Sequence, residues 1–152
     1  MVTKLISTAC GIGYSPLAPG TAGSIFALLI YLIFPENIIF YLLGLLILFF
    51  IGVWAANKTE IEYIEKLGQE QGHDPQVVVI DEVVGMLIAL IAIPATWFWV
   101  IAGFTLFRLF DITKIYPINI SQRIPGGWGI MLDDVLAGIF ANLALQIIRF
   151  SV

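Results

Sequence analysis

The segment IIFYLLGLLILFFIGVWAA, at residues 38–56, is an apolar run without a charged side chain. A helix needs about 20 such residues to cross the roughly 30 Å hydrocarbon layer of a bilayer. The rest of the chain has a similar character, because 60% of its 152 residues are hydrophobic and only 12% are charged. Soluble domains keep about a quarter of their residues charged. The sequence therefore predicts a protein that is solvated by lipid.

Four more apolar stretches accompany this run. They lie at about 19–34, 77–93, 96–116 and 130–150, with turn residues between them. A backbone in lipid must satisfy its own hydrogen bonds, and no stretch alternates as a barrel strand would, so each is predicted to be a helix. We expect an all-α fold: a polytopic membrane helical bundle of about five apolar spans, some short or re-entrant, forming a single domain over residues 1–152.

One polar segment, NKTEIEYIEKLGQEQGHDPQ at residues 57–76, separates spans two and three. Ile61, Ile64 and Leu67 recur within it at helical spacing. We predict an amphipathic helix at the cytoplasmic surface, within a polar insert that covers 57–76. A solvated helix with no chemical role is the plainer interpretation, and it stays open.

Threading the five spans back and forth through a bilayer assigns each connection to one of two faces. The N-terminal segment, residues 57–76 and residues 117–129 share one face with nearly all lysines and arginines, whereas Arg149 falls on the other. Cytoplasmic loops carry the excess of basic residues, so the first face is predicted to be cytoplasmic. Acidic side chains from three separate spans converge on that face, which predicts a functional site there.

Two pairs of adjacent acids stand in apolar surroundings, Asp81–Glu82 in VIDEVVGM and Asp133–Asp134 in MLDDVLAG. Acids near a helix N-terminus gain a few tenths of a kcal/mol from the helix dipole, and this structural explanation stays open. However, no polar residue precedes the first pair from Val77 to Ile80, and capping does not require two adjacent acids. Carboxylate oxygens are the preferred ligands of hard divalent cations. We interpret both pairs as metal or substrate ligands, with Asp134 as the direct ligand of the second pair.

The stretch FRLFDITKIYP spaces Arg108, Asp111 and Lys114 three residues apart. On a helix, this spacing brings each charge next to the following one. A neutralised ladder of ion pairs would explain the pattern, particularly at Lys114, close to the helix end. Arg108 lies about two turns inside the span, where a phosphate or a buried carboxylate is the expected partner.

Two further stretches supply candidate ligands. GIGYSPLAPGTAGS precedes the first span, and the backbone amides near Gly20 with the hydroxyls of Thr21 and Ser24 can bind an anion at a helix start. The same residues also suit an ordinary loop, and the stretch matches neither a Walker loop nor a dinucleotide fingerprint. Asp74, in the polar insert, belongs first to an Asp-Pro turn and is a further candidate metal ligand.

Carboxylates, an arginine and a lysine together favour metal-assisted chemistry on a phosphate. Several other routes of phosphate chemistry are excluded. Cys10 has no arginine six residues later, the chain has a single histidine, and neither D-x-D nor the D-G-x-x-A-R pattern of CDP-alcohol phosphotransferases occurs. Nucleic-acid binding is disfavoured as well, because the 7 lysines and arginines form no basic cluster.

The chain resembles the phosphatidylglycerophosphatase A family in four ordered blocks: GIGYSPLAPGTAGS, HDPQVVVIDEVVGM, FRLFDITKIYPI and GGWGIMLDDVLAGI. The resemblance implies a magnesium-dependent, multi-pass enzyme of the bacterial cytoplasmic (inner) membrane that acts in phospholipid biosynthesis. It implies hydrolysis of phosphatidylglycerophosphate to phosphatidylglycerol and phosphate, with the active site facing the cytoplasm. One departure is visible: the family commonly has K-P-x-P where this chain has KIYP, starting at Lys114.

These expectations combine into one predicted site. Five acids are expected to supply direct or supporting ligands of Mg²⁺, namely Asp81, Glu82, Asp111, Asp133 and Asp134, with Asp74 as a further candidate. Arg108 and Lys114 are expected to hold the phosphate. Water and an aspartate both stay open as the nucleophile. Two alternatives from other classes stay open too: a cation or proton transporter, and a catalytically silent lipid-binding membrane protein.

Overall fold

The computed structural model describes residues 1–67, 75–121 and 124–151. Over these residues all regular structure is helical, which confirms the all-α prediction. The helices in chain order are α1 (Val2–Ser7), α2 (Pro19–Ile33), α3 (Ile38–Leu67), α4 (Ile80–Ala89), α5 (Trp97–Thr113), α6 (Ile118–Ser121) and α7 (Gly127–Ser151). A single 3-10 turn, Ile12–Tyr14, lies between α1 and α2.

Two of the described helices are long and apolar enough to cross a membrane, over Ile38–Lys66 and Gly127–Ser151. Helix α2 is apolar but shorter. The five predicted spans are thus represented by two helices of membrane-crossing length and three shorter ones. Large apolar side chains cover much of the outer surface, as at Leu32, Phe98 and Ile147, whose exposed fractions are 73%, 67% and 67%. A surface of this kind indicates contact with a membrane or another protein.

The helix predicted after residue 56 is present through Leu67, but the prediction that it is separate from the second span is wrong. Residues 57–67 continue α3, which runs without a break for 30 residues. The sequence AANKTEIEYIEKL contains neither glycine nor proline, so its polarity changes while its helical preference persists. The remainder of the predicted insert, residues 68–74, lies outside the described residues.

The polar end of α3 packs against α1, an element that the sequence did not indicate. The Ser7 and Thr59 hydroxyl oxygens lie 2.8 Å apart, and Lys4 Nζ lies 2.9 Å from a Glu62 carboxylate oxygen. The backbone carbonyl of Ser7 accepts a hydrogen bond of 2.9 Å from the backbone N–H of Val79, directly before α4. The N-terminal segment therefore links the polar end of α3 to the start of α4.

Helix α4 is the centre of the bundle. Its ten residues span about 15 Å, and α2, α3, α5 and α7 surround it, so that every residue except Glu82 is buried. It is shorter than the predicted span 77–93. The backbones of α4 and α7 touch directly, because a Cβ atom added to Gly138 would lie 2.3 Å from the Gly85 carbonyl oxygen. Glycine at both positions permits this close approach.

Candidate active site

The acids that the sequence singled out meet where α4, α5 and α7 converge. One ligand oxygen from each of Asp81, Glu82 and Asp134 lies within 4.8 Å of the other two. The first two belong to the first turn of α4, and Asp134 lies two turns inside α7. The structure thus brings together residues that are more than 50 positions apart in the sequence.

The burial of these acids shows that the helix dipole alone does not account for them. Asp81 and Asp134 are 4% and 2% exposed. Placement in a first helical turn, as for Asp81 and Glu82, stabilises an exposed acid by some tenths of a kcal/mol. Removing a carboxylate from water without a partner costs several kcal/mol, which is far more. The acids therefore require compensation in addition to the dipole, from a cation, a bound proton or hydrogen-bond donors.

Arg108, on α5, lies beside this cluster. Its Nη1 atom lies 2.6 Å from an Asp111 carboxylate oxygen and 4.0 Å from a Glu82 carboxylate oxygen. The same atom donates a 3.4 Å hydrogen bond to the Ser24 hydroxyl on α2. The predicted pairing of Arg108 with Asp111 is therefore present. The Nε–H group of the same guanidinium has no hydrogen-bond partner among the described residues.

The two adjacent aspartates of α7 face different partners. Asp133 accepts a hydrogen bond from Lys114 Nζ, whereas Asp134 joins Asp81 and Glu82. Neighbouring helical residues point about 100° apart, which explains the separation. Helix α5 ends at Thr113, and Lys114 follows in a left-handed conformation with φ 42° and ψ 50°. The structure thus gives Lys114 a carboxylate partner beside the acidic cluster.

The start of α2 contributes a wall of the site. A Cβ atom added to Gly20 would lie 2.1 Å from Glu82 Oε1 and 3.2 Å from Arg108 Nη1. The Ser24 hydroxyl donates a 2.8 Å hydrogen bond to the Gly20 carbonyl. Thr21, in the same turn, is half-buried. Glycine at position 20 therefore leaves the space that the Glu82 side chain occupies. The sixth predicted acid, Asp74, lies outside the described residues.

The cluster fits a divalent cation. Buried carboxylate oxygens normally accept hydrogen bonds, yet Glu82 Oε2 and Asp134 Oδ2 have no donor among the described residues. Three carboxylates that offer oxygens at close range suit Mg²⁺ or Ca²⁺, and no histidine or cysteine joins them within the described part of the chain, which disfavours softer metals. The residues that could hold the ion are Asp81, Glu82 and Asp134.

Comparison with known proteins connects this geometry to a family. The chain is 40% identical to a Bacteroides thetaiotaomicron protein whose provisional name is phosphatidylinositol-3-phosphatase, over 97% of this chain and 94% of the relative. It is 35% identical to phosphatidylglycerophosphatase A of Haemophilus influenzae, over 96% of this chain and 88% of the relative. It is 37% identical to phosphatidylglycerophosphatase A of Escherichia coli, over 90% of this chain and 77% of the relative.

No solved structure matches the chain. The family model of phosphatidylglycerophosphatase A matches residues 5–149, which include every described residue of the candidate site. Both the family match and the two relatives of that name agree with the resemblance seen in the four sequence blocks. This chain belongs to the phosphatidylglycerophosphatase A family.

Proposed function

We propose that this chain is a Mg²⁺-dependent lipid phosphomonoesterase that hydrolyses phosphatidylglycerophosphate to phosphatidylglycerol and phosphate. Family membership supports the reaction. The observation that carries the metal requirement is the charge balance of the site, where, among the described residues, five carboxylates face two cations, Arg108 and Lys114. Such a site repels a phosphate dianion until a divalent cation offsets the excess negative charge.

Different side chains would bind the ion and the phosphate. Asp81, Glu82 and Asp134 would hold Mg²⁺, which when bound supplies Lewis-acid polarisation of a phosphoryl oxygen and activation of water. Arg108 is positioned to hold phosphate oxygens, since a guanidinium pairs with them in a bidentate manner. Asp111 orients Arg108 through the 2.6 Å contact. We assign phosphate binding chiefly to Arg108, because its Nε–H has no hydrogen-bond partner among the described residues even though Nη1 pairs with Asp111.

A placement in the membrane follows from the same geometry. We propose that α3 and α7 cross the bilayer, that α2, α4 and α5 complete the five apolar segments, and that the acidic cluster faces the cytoplasm. Asp134 lies seven residues after Gly127, about 10 Å along α7, which suits the depth of a lipid phosphate. Lys4 and Lys114 lie at this end of the bundle and Arg149 at the other, in keeping with the positive-inside rule.

Removal of the metal should abolish the reaction. We expect purified protein in detergent micelles to release phosphate from phosphatidylglycerophosphate. It should lose at least about 99% of this activity in excess EDTA and regain it when Mg²⁺ is added back. Without the cation, the negative charge of the carboxylates opposes binding of the anionic phosphate. Full activity in EDTA would contradict the metal assignment. Ion flux in proteoliposomes without phosphate release would favour the transporter alternative.

A second substrate is supported by one specific observation. The Bacteroides thetaiotaomicron relative, at 40% identity, is provisionally named for a phosphatidylinositol 3-phosphate reaction. Both lipids present a phosphomonoester on a headgroup and differ in the alcohol that carries it. Comparing kcat/KM for the two lipids in the same mixed micelles distinguishes the candidates, and a higher value for the inositol lipid would reassign the substrate while leaving the site unchanged.

Gly20→Ala tests the space beside Glu82. The added methyl group would lie 2.1 Å from Glu82 Oε1, so the flexible carboxylate must leave its present position beside Asp81 and Asp134. We expect a loss of activity of about tenfold to a hundredfold and a higher Mg²⁺ concentration at half-maximal rate, as found when metal ligands are reoriented. Leu29→Ala, on the exposed face of the same helix, is the matched control. An unchanged Mg²⁺ requirement would show that Glu82 is not a ligand.

A further inference from the structure

The C-terminal end of α4 receives hydrogen bonds from side chains on three other helices. A helix leaves its last carbonyl groups without backbone partners, and such groups are costly to bury in lipid or protein. The bonds to residues 87–93 are Tyr41 Oη to Leu87 O (2.7 Å), Asn142 Nδ2 to Ala89 O (3.0 Å) and Ile91 O (2.8 Å), Gln146 Nε2 to Ile91 O (3.3 Å), Arg149 Nη1 to Ala92 O (2.7 Å) and Tyr31 Oη to Ile93 O (2.9 Å).

Asn142, Gln146 and Arg149 all belong to α7, the helix that carries Asp134. Asn142 differs from the other two because one of its bonds reaches a carbonyl within α4, that of Ala89, whereas Gln146 and Arg149 bond carbonyls that follow the helix. Helices α4 and α7 run parallel, and a constant offset of 53 residues relates their contacts. Asp81 meets Asp134 at the acidic cluster, Gly85 meets Gly138 at the backbone contact, and Ala89 meets Asn142 at the hydrogen bond. These three contacts follow one another at four-residue steps, about one helical turn apart.

The three contacts do not constrain the helices equally. The contact at Gly85 and Gly138 brings backbones together but has no directional bond that prevents sliding along the axis. At the acidic cluster, three carboxylates repel one another until a cation binds. Asn142 holds two carbonyl oxygens at once, at 3.0 Å and 2.8 Å, and this fixes the axial position of α4 on α7. A slide of one residue, about 1.5 Å, would exceed the tolerance of a metal site.

We infer that Asn142 is a positioning residue for the metal site, which sets the register of α4 on α7 and thereby the distance from Asp81 and Glu82 to Asp134. This inference rests on the proposed function, since it concerns the site proposed for Mg²⁺. Asn142 acts through the backbone of α4 at a distance of about 12 Å along α7 from Asp134. It is not a catalytic residue, because no reacting group reaches it.

Asn142→Leu keeps the size of the side chain and removes both hydrogen bonds. We expect Mn²⁺ binding to the purified protein, measured by electron paramagnetic resonance without substrate, to weaken about tenfold, in the range found for residues that orient metal ligands. We expect kcat to fall and the KM for the lipid to stay within about twofold, because the substrate contacts are untouched. Leu143→Ala, at the adjacent exposed position of α7, is the control and should bind Mn²⁺ as the wild type does.

A second variant keeps the inference testable if Asn142→Leu does not fold. Asn142→Ala also removes both hydrogen bonds and does so with a smaller side chain, so it should weaken Mn²⁺ binding in the same direction. Wild-type Mn²⁺ affinity in folded Asn142→Leu, or in Asn142→Ala when the first variant is unfolded, would overturn the inference. If the wild-type protein itself binds no Mn²⁺, the metal site of the proposed function fails instead.

Discussion

Asp134→Asn is expected to lower the rate of phosphate release by on the order of a thousandfold, with the fold and lipid binding retained. Asp134 is 2% exposed, and one of its oxygens has no hydrogen-bond donor among the described residues. The amide keeps the shape of the side chain but lacks the charge that attracts a cation. Initial rates over a range of Mg²⁺ concentrations, with circular dichroism to verify the helices, measure the effect.

Two comparisons sharpen this result. Glu62→Gln changes an acid in the partly exposed pair with Lys4, which is not part of the three-carboxylate cluster, and should leave the rate unchanged. Asp133→Asn removes the partner of Lys114 and should cause a smaller loss than Asp134→Asn, because Asp133 belongs to an ion pair rather than to the three-carboxylate group. Equal losses at positions 133 and 134 would contradict the division of roles between the two aspartates.

Arg108→Gln is expected to lower kcat/KM by about a hundredfold or more, since it removes the cation best placed to bind phosphate. The substitution also leaves Asp111, 7% exposed, without its 2.6 Å ion-pair partner. Loss of one member of a buried ion pair destabilises a protein by about 3 kcal/mol, so the thermal stability of the variant should fall as well. Kinetic and melting measurements on the same preparation separate the two effects.

The double variant Arg108→Gln with Asp111→Asn decides what the arginine does. Neutralising Asp111 removes the unpaired charge, so the melting temperature should recover toward that of the wild type. If Arg108 binds the phosphate, the double variant stays as inactive as Arg108→Gln alone. Recovery of both activity and stability would show that Arg108 serves only to neutralise Asp111. A different group would then have to bind the phosphate.

The residues of the candidate site could be named from the sequence because charged residues are rare in this chain. With 12% charged residues, an acid within an apolar run has few explanations, and three of the predicted acids indeed meet within 4.8 Å. The pairing of Arg108 with Asp111 followed from their three-residue spacing on one helix. Contacts between helices were not accessible in the same way. The bond from Lys114 to Asp133 depends on where α5 ends and on how it packs against α7.

The lengths of the helices were predicted less well. Hydropathy finds apolar stretches, but it does not distinguish a helix that faces lipid from one that is buried by its neighbours, so the stretch 77–93 appeared as a full span although α4 has ten residues. Hydropathy also placed a boundary near residue 57, where polarity changes and the helix does not. Asn142 went unnoticed because a single amide in an apolar run carries no pattern; its significance appears only beside the carbonyls of Ala89 and Ile91.

The short length of α4 has a consequence for how the protein is synthesised. Ten residues are too few for the insertion machinery to release into the bilayer as an independent span. In the proposed membrane placement, α4 is enclosed by four neighbours, and α7, which is synthesised after the other three, supplies its Asn142 bonds and the backbone contact at Gly138. The candidate site is therefore assembled late: ribosome-bound chains that end before residue 127 lack Asp134, and catalytic competence requires the synthesis of α7.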